Sequence, residues 1–245
     1  MTLQARGDQS KGMEIADNLL KKLFENVYFV IGTAYAGKST MVRMLAEKYG
    51  GVWCGENYND KLFGLIDPAH QPNLCYFDTM SGWQEFIGRT PEQYAAWLDG
   101  CATEGEGLEL IELIRRTEEG RRVFVDTNIS MDALKRISDD RHVAVMLSEP
   151  AVSVNRFFDR PDAEKQFIYQ RILEAPDPQA AMANYRAILE RANSPENYRK
   201  YEESGFFVLK RDDARAPEDV VQLLFQRQLF SCPFAPQEVP DRLYY

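Results

Sequence analysis

Short apolar runs alternate with longer amphipathic segments along most of the chain. The runs are rich in β-branched and aromatic residues, which favours buried strands. They are Val27–Ile31, Val52–Cys54, Val123–Asp126, Val143–Leu147 and Phe206–Leu209. Strands that alternate with helices predict an α/β fold in which helices cover both faces of a five-stranded parallel sheet, giving three layers.

The segments between these runs predict helices from their apolar spacing and their end signals. Between residues of about 56 and 120 we expect a helical insertion with two helices, one starting at Thr90-Pro91 and another over Glu104–Glu119. We expect a single domain over residues 1–245 that ends in an irregular tail at 231–245. The other predicted helices are Met13–Glu25, Lys38–Tyr49, Met131–Ile137, several pieces within 152–203, and Ala216–Arg227.

A glycine-rich segment of the pattern G-x-x-x-x-G-K-[ST] joins the first strand to the next helix at Gly32–Ser39. Glycines at positions 32 and 37 let the backbone turn its amides towards a phosphate, and the helix N-terminus adds a positive dipole end. Lys38 is expected to reach the β- and γ-phosphates and to act in catalysis, and the Ser39 hydroxyl is expected to bind Mg²⁺. The predicted nucleotide contacts are Gly32, Thr33, Ala34, Tyr35, Ala36, Gly37, Lys38, Ser39 and Thr40.

The strand Val123–Asp126 ends in a carboxylate, which is the pattern of a second magnesium-site motif. We expect Asp126 to hold Mg²⁺ with Ser39, although a polar residue at a strand end is also common without such a role. Thr127 stands where ATP-driven motors place a glutamate that activates water, and the chain has no N-K-x-D guanine motif. Both observations favour phosphoryl transfer to an acceptor other than water.

Basic residues follow the fourth strand at Arg156, Arg160, Lys165 and Arg171. Arg156 and Arg160 are four residues apart, so they share one face if the segment is helical. The planar guanidinium group suits the oxygens of a transferring phosphoryl group, so we expect both arginines to be catalytic within a lid at about 152–175. A solvated basic helix, paired with neighbouring acidic residues, is the alternative interpretation.

These three features together resemble the small P-loop kinases, the group of nucleoside monophosphate kinases and shikimate kinases. The resemblance rests on Gly32–Ser39, the strand that ends at Asp126, and the arginines at 156–171. It implies a P-loop NTPase fold, an acceptor-binding insertion at 56–120 and an arginine-bearing lid. It also implies that the loop after the last strand holds adenine, with Arg211 and Asp213 as contacts.

The acceptor-binding residues are less clear because the chain departs from the pattern of this group. Shikimate- and gluconate-type kinases carry a D-x-D-like carboxylate after the second strand, whereas this chain has Cys54-Gly55-Glu56-Asn57. Glu56 and Asp60 are candidates for orienting an acceptor hydroxyl, and Asp126 is a competing base. Trp83 is a candidate for stacking on a base or sugar, and Arg89 and Arg115 are candidates for holding an anionic acceptor. Helix packing and a solvated surface are the alternatives for these last three.

The composition of the chain bears on its binding partners and on its cellular compartment. The formal net charge is −9, which argues against a broad nucleic-acid surface. The four cysteines and two histidines are scattered, and residues 1–12 are polar, so we expect reduced thiols and a cytoplasmic protein without a membrane span. The sequence predicts an ATP- and Mg²⁺-dependent phosphotransferase. The alternatives are an ATP-binding regulatory switch without phosphoryl transfer and a slow, partner-dependent NTPase.

Overall fold

A single parallel sheet lies at the centre of the molecule. A computed structural model describes residues 15–159, 163–211 and 214–229. The strands are β1 (Val27–Gly32), β2 (Val52–Cys54), β3 (Val123–Asp126), β4 (Val143–Leu147) and β5 (Phe207–Lys210). They lie in the order β2-β3-β1-β4-β5, and every neighbouring pair is parallel. The predicted five-stranded parallel sheet is therefore confirmed.

The described residues form eleven α-helices and two short 3-10 helices, the latter at Asp60–Leu65 and Phe157–Asp159. None of these helices is both long and apolar enough to cross a bilayer. The α-helices are α1 (Asp17–Leu23), α2 (Lys38–Tyr49), α3 (Tyr76–Thr79), α4 (Trp83–Ile87), α5 (Pro91–Thr117), α6 (Met131–Ile137), α7 (Pro150–Asn155), α8 (Ala163–Leu173), α9 (Pro178–Ala192), α10 (Pro195–Glu202) and α11 (Pro217–Leu229).

Apolar side chains of β1 enter two separate cores because successive residues of a strand point to opposite faces of the sheet. Val27, Phe29 and Ile31 pack into a core that α1, α5, α6 and α10 cover. Tyr28 and Val30 pack into a second core on the other face, which α2 and α11 cover. The sheet is thus a buried layer between two layers of helices, and its strand ends hold the loops in place.

The insertion contains one long helix where two were predicted. α5 begins at Pro91 and has 27 residues, and the hydroxyl of its N-cap residue Thr90 accepts a hydrogen bond from the backbone of Gln93. The helix continues through Gly100 without a break. A Cβ at this position would lie 2.4 Å from the side chain of Asn73, so the glycine allows a close contact between the helix and the segment around Asn73.

The first helix is shorter than predicted, and most of its apolar side chains are exposed. Within the described residues it begins at Asp17, and none of its own residues is fully buried. Leu20 packs against the core, whereas Ile15, Leu19 and Leu23 remain exposed. Residues 1–14 and 230–245, which include the predicted irregular tail, lie outside the described residues.

Candidate active site

The segment Gly32–Ser39 connects the carboxyl end of β1 to the first residue of α2. Gly32 has a φ of 133°, and a Cβ at this position would lie 1.9 Å from the carbonyl oxygen of Met146, so a side chain does not fit. Gly37 has a φ of 89° immediately before α2. Tyr35 has a φ of 64°, which is uncommon for a residue with a side chain. The strand–loop–helix context expected from the sequence is present.

The N-terminus of α2 opens into a large cleft. Gly37 precedes the helix and supplies no side-chain cap, so the first backbone amides of α2 have no partner within the helix. Gly37, Lys38, Ser39 and Thr40 all line the cleft. Free amides and the positive end of a helix dipole make this position suited to a phosphate.

Two side chains of this loop converge on the carboxylate at the end of β3. The Ser39 hydroxyl donates to Asp126 Oδ2 at 2.6 Å, and Lys38 Nζ lies 3.8 Å from Asp126 Oδ1. Lys38 Nζ also donates to the carbonyl of Thr33 at 3.3 Å. Asp126 is only 5% exposed, and burial raises the pKa of its carboxyl, while Lys38 and Ser39 act in the opposite direction. Glu56 is close enough to raise this pKa further.

The cleft has a volume of about 870 Å³ and lies at the carboxyl ends of the strands. Its position agrees with the general rule that open α/β sheets bind ligands in the crevice outside these ends. The residues of the glycine-rich loop and of the first turn of α2, Gly32–Thr40, form one wall, except that Ala36 is buried. Other lining residues come from α5, α7, α8, α9, α10 and the segments between elements, and include Glu56, Tyr94, Asn128, Phe157, Lys165, Asn193, Ser194, Asn197, Tyr198 and Tyr201.

The wall opposite the loop was not predicted from the sequence. Asn193, Ser194 and Asn197 lie where α9 ends and α10 begins, and they present polar groups to the cleft. The sequence marks Ser194 as a helix cap, and its hydroxyl does accept from the Asn197 backbone. The amide side chains at this helix junction could have indicated a polar binding surface. Nothing in the sequence pattern shows that the junction faces the loop after β1.

Hydrogen bonds connect the middle residues of the glycine-rich loop Gly32–Ser39 to neighbouring segments. The Tyr35 hydroxyl donates to the carbonyl of Arg156 at 2.8 Å, and Arg211 donates to the carbonyl of Tyr35. Ser153 donates to the carbonyl of Ala34 at 3.1 Å. The loop is therefore connected both to the predicted lid and to the segment that follows β5.

A buried carboxylate anchors α5 to the loop after β3. Glu109 is 8% exposed, and its side chain accepts from the hydroxyls of Tyr58 and Thr127 and, at 3.4 Å, from the amide of Asn128. Burial raises the pKa of Glu109, and the nearby charge of Asp126 contributes to this shift. The network fixes the insertion relative to Asp126, and sequence analysis did not identify it.

The predicted lid corresponds to α7, the following 3-10 helix and α8. Lys165 on α8 lines the cleft, whereas the exposed side chain of Arg156 lies outside the cleft lining. Arg171 pairs with Glu174 at 2.8 Å. Arg160 and Asp213 lie outside the described residues. Of the predicted basic side chains in the described part of the lid, Lys165 alone lines the cleft.

The structure brings only one of the predicted acceptor residues to the cleft. Glu56 lines it, whereas Asp60 is exposed on a 3-10 helix and does not. Arg89 lies 3.8 Å from the ring centre of Tyr76, and Arg115 pairs with Glu112 at 2.7 Å. Neither arginine lines the cleft, because aromatic and carboxylate partners on the insertion hold each of them.

Trp83 lines a second cavity of about 630 Å³ between the insertion and α8. Trp83 packs against neighbouring aromatic residues, as the helix-packing alternative predicted, and it also lines this cavity. Trp83, Phe86, Tyr94 and Trp97 contact each other at ring-centre distances between 5.3 and 6.1 Å along the cluster.

Among the described residues, no three His, Cys, Asp or Glu side chains converge as a metal site. Cys54, Cys75 and Cys101 are free thiols, and burial raises the pKa of Cys54 and of Cys101 to about 11. Cys232 lies outside the described part of the chain.

The chain matches no protein-family model and has no significant match among curated proteins.

Proposed function

We propose that this protein is an ATP- and Mg²⁺-dependent phosphotransferase with a P-loop NTPase fold. The observation that carries the proposal is the convergence of Lys38 and Ser39 on Asp126 beside the uncapped N-terminus of α2. This arrangement places a cation and a hydroxyl in the lining of an 870 Å³ cleft, with the buried Asp126 carboxylate in contact with both. Such a combination suits a nucleoside triphosphate and its metal ion.

The residues of the loop would bind the phosphates and neutralise their charge. The backbone amides between Thr33 and Thr40 would donate to the phosphate oxygens, and Lys38 would move from the Thr33 carbonyl to the β- and γ-phosphates. Lys165 would face the same charge from the lid. Because phosphoryl transfer depends mainly on positioning and electrostatic stabilisation, these donors would account for much of the catalysis.

Ser39 and Asp126 fit a Mg²⁺ site because both offer oxygen ligands within hydrogen-bond distance of each other. Mg²⁺ at phosphate sites commonly uses one or two protein oxygens together with substrate phosphates and water. The ion would stabilise the charge that develops on the transferred group. Ser39 and Asp126 would each exchange their mutual hydrogen bond for a contact with the ion or its water.

Glu56 is the candidate for the proton acceptor because it lines the cleft close to Asp126. In the proposed reaction the acceptor hydroxyl oxygen bonds to the γ-phosphorus, and the bond from this phosphorus to the β–γ bridging oxygen breaks. ADP leaves, and the hydroxyl proton passes to the Glu56 carboxylate. Asp126 is less suited to this role because Ser39 and Lys38 already contact both of its oxygens.

Acceptor-dependent ATP consumption tests this proposal. Purified protein is incubated with Mg²⁺ and ATP and a panel of nucleoside monophosphates, nucleosides, sugar acids and apolar alcohols, and ADP formation is measured. We expect ADP formation that requires one class of acceptor and is lost in Lys38→Ala. An Asp60→Asn variant is the matched control and should keep full activity, since Asp60 does not line the cleft.

The two alternative functions predict different results in the same assay. An ATP-dependent regulatory switch would bind Mg²⁺ and ATP tightly, but no acceptor would increase ADP formation. An NTPase would release phosphate at the same rate with and without an acceptor. Either result would contradict the proposed transfer.

A further inference from the structure

The second cavity adjoins the cleft that contains Lys38. Tyr94, Phe157 and Lys165 line both cavities. The volume of the second cavity, about 630 Å³, lies within the range of small-molecule sites. It is therefore placed to hold the body of a molecule whose reactive end lies in the cleft.

Aromatic and aliphatic side chains form nearly all of this second cavity. Its apolar lining residues are Phe77, Trp83, Phe86, Tyr94, Trp97, Phe157, Ala163, Phe167, Ile168 and Tyr185. Glu164 and Lys165 are the charged residues among its described lining. The residues of this lining make up what we call the aromatic cavity.

The polar atoms of the aromatic residues are largely engaged elsewhere. Trp97 Nε1 donates to the carbonyl of Asn73 at 3.0 Å, and the hydroxyls of Tyr94 and Tyr185 interact with each other. The nearby guanidinium group of Arg89 lies against the ring of Tyr76 and does not line the cavity. Apart from Lys165, which also lines the cleft, the walls offer mainly ring faces and edges rather than donors for a phosphate or a carboxylate.

We propose that the aromatic cavity binds the uncharged apolar body of an alcohol, and that this alcohol is the acceptor of the phosphoryl group. The second half of this inference rests on the proposed function. The ring system of the alcohol lies among Trp83, Phe86 and Trp97, and its hydroxyl arm passes Tyr94 into the cleft. After transfer, the new phosphate monoester lies between Lys38 and Lys165, and its ring remains in the aromatic cavity.

Binding of 2-(2-naphthyl)ethanol, measured by calorimetry, tests the proposal with a defined probe. The titration contains Mg²⁺ and a non-hydrolysable ATP analogue, with adenosine monophosphate and gluconate as polar comparison ligands. We expect the naphthyl alcohol to bind and the two polar ligands to leave its binding unchanged. Displacement of the probe by adenosine monophosphate would overturn the proposal in favour of a nucleotide acceptor, as would a failure of the probe to bind up to its solubility limit.

A pair of phenylalanine variants locates the bound probe. Phe167 is 39% exposed at the cavity rim, where its ring lies 4.8 Å from that of Trp83. Phe167→Ala should weaken probe binding about tenfold through the lost aromatic contact. Phe63→Ala is the matched control, because Phe63 is 42% exposed and lines neither cavity. Equal weakening in both variants, or in neither, would contradict the assignment.

Two further readouts separate this inference from the proposed function. Ala163→Trp adds an indole to an exposed lining position and should block the probe without requiring a change in the buried core. Lys38→Ala should bind the probe as the unaltered protein does, because Lys38 is not part of the aromatic cavity. A probe that binds as expected while Lys38→Ala leaves ADP formation unchanged would contradict the phosphotransferase proposal and leave the binding-site assignment standing.

Discussion

Replacing Asp126 by asparagine should separate the stability of the free protein from its use of Mg²⁺. The substitution keeps the shape of the side chain and removes its charge. At 3.8 Å, the attraction between Asp126 and Lys38 is on the order of 4 kcal/mol if the effective dielectric constant is about 20. The cost of burying the carboxylate is also several kcal/mol, and the raised pKa shows that burial is the larger influence.

The two contributions oppose each other in the absence of a ligand. We therefore expect the free energy of unfolding of Asp126→Asn to stay within about 1 kcal/mol of the original value. Mg²⁺ binding differs, because an amide carries no charge for the ion. The loss of one charged contact, worth about 1.5–3 kcal/mol, should remove roughly ten- to a hundredfold of the Mg²⁺-dependent gain in ATP affinity.

Two measurements on each variant test this reasoning. Urea denaturation gives the stability of the free protein, and calorimetry gives the affinity for a non-hydrolysable ATP analogue with Mg²⁺ or with EDTA. Asp60→Asn is the control, because it removes an exposed carboxylate of the insertion that does not line the cleft. An Asp126→Asn variant that keeps the full Mg²⁺ dependence would refute the assignment of Asp126 to the metal.

Three further predictions concern the framework that holds the site. Gly32→Ala should lower the free energy of unfolding, measured in urea, by about 3 kcal/mol or more, because its Cβ would meet the carbonyl of Met146 at 1.9 Å; a loss below about 1 kcal/mol would contradict this. Tyr58→Phe should cost about 1–3 kcal/mol in the same assay by removing a donor to the buried Glu109 carboxylate, and an unchanged stability would argue against that bond. Burial lowers the pKa of His142, so the folded protein binds fewer protons than the unfolded chain as the pH falls below about 6.5. Stability should therefore fall with acidification in this window more steeply than in His142→Gln, and parallel pH profiles from denaturation would contradict the prediction.

The strands could be predicted from the sequence because their apolar runs are short, dense and bounded by polar residues. Each of the five is found within about one residue of its predicted ends. The phosphate loop could be placed between β1 and α2 for the same reason, since its glycines follow an apolar strand directly. A sequence pattern is sufficient to predict a feature when the residues that form it are close together in the chain.

The opposite wall of the cleft depends on contacts between distant parts of the chain. Nothing near Asn193 or Asn197 indicates that the α9–α10 junction faces the phosphate loop, about 160 residues earlier in the sequence. The network around Glu109 joins α5 to Thr127 in the same non-local way. Helix periodicity alone places Glu109 on α5 but does not show what covers it.

The predicted arginines show how an interaction partner decides the place of a charged side chain. Arg89 and Arg115 carry the right charge for an anionic acceptor, yet Tyr76 and Glu112 hold them away from the cleft. The lid role of Arg156 stays a prediction, because its backbone carbonyl contacts the loop whereas its exposed side chain does not line the cleft. The sequence shows which side chains are charged, whereas the fold determines where each of them lies.

Calorimetric titration of the unaltered protein and of Lys38→Ala with Mg²⁺ and a non-hydrolysable ATP analogue tests the proposed nucleotide site most directly. We expect one site per chain, with an affinity that falls roughly ten- to a hundredfold in the variant through loss of its charged contact to phosphate. An unaltered protein that does not bind the analogue at millimolar concentration, or a variant that binds it equally well, would rule out this site.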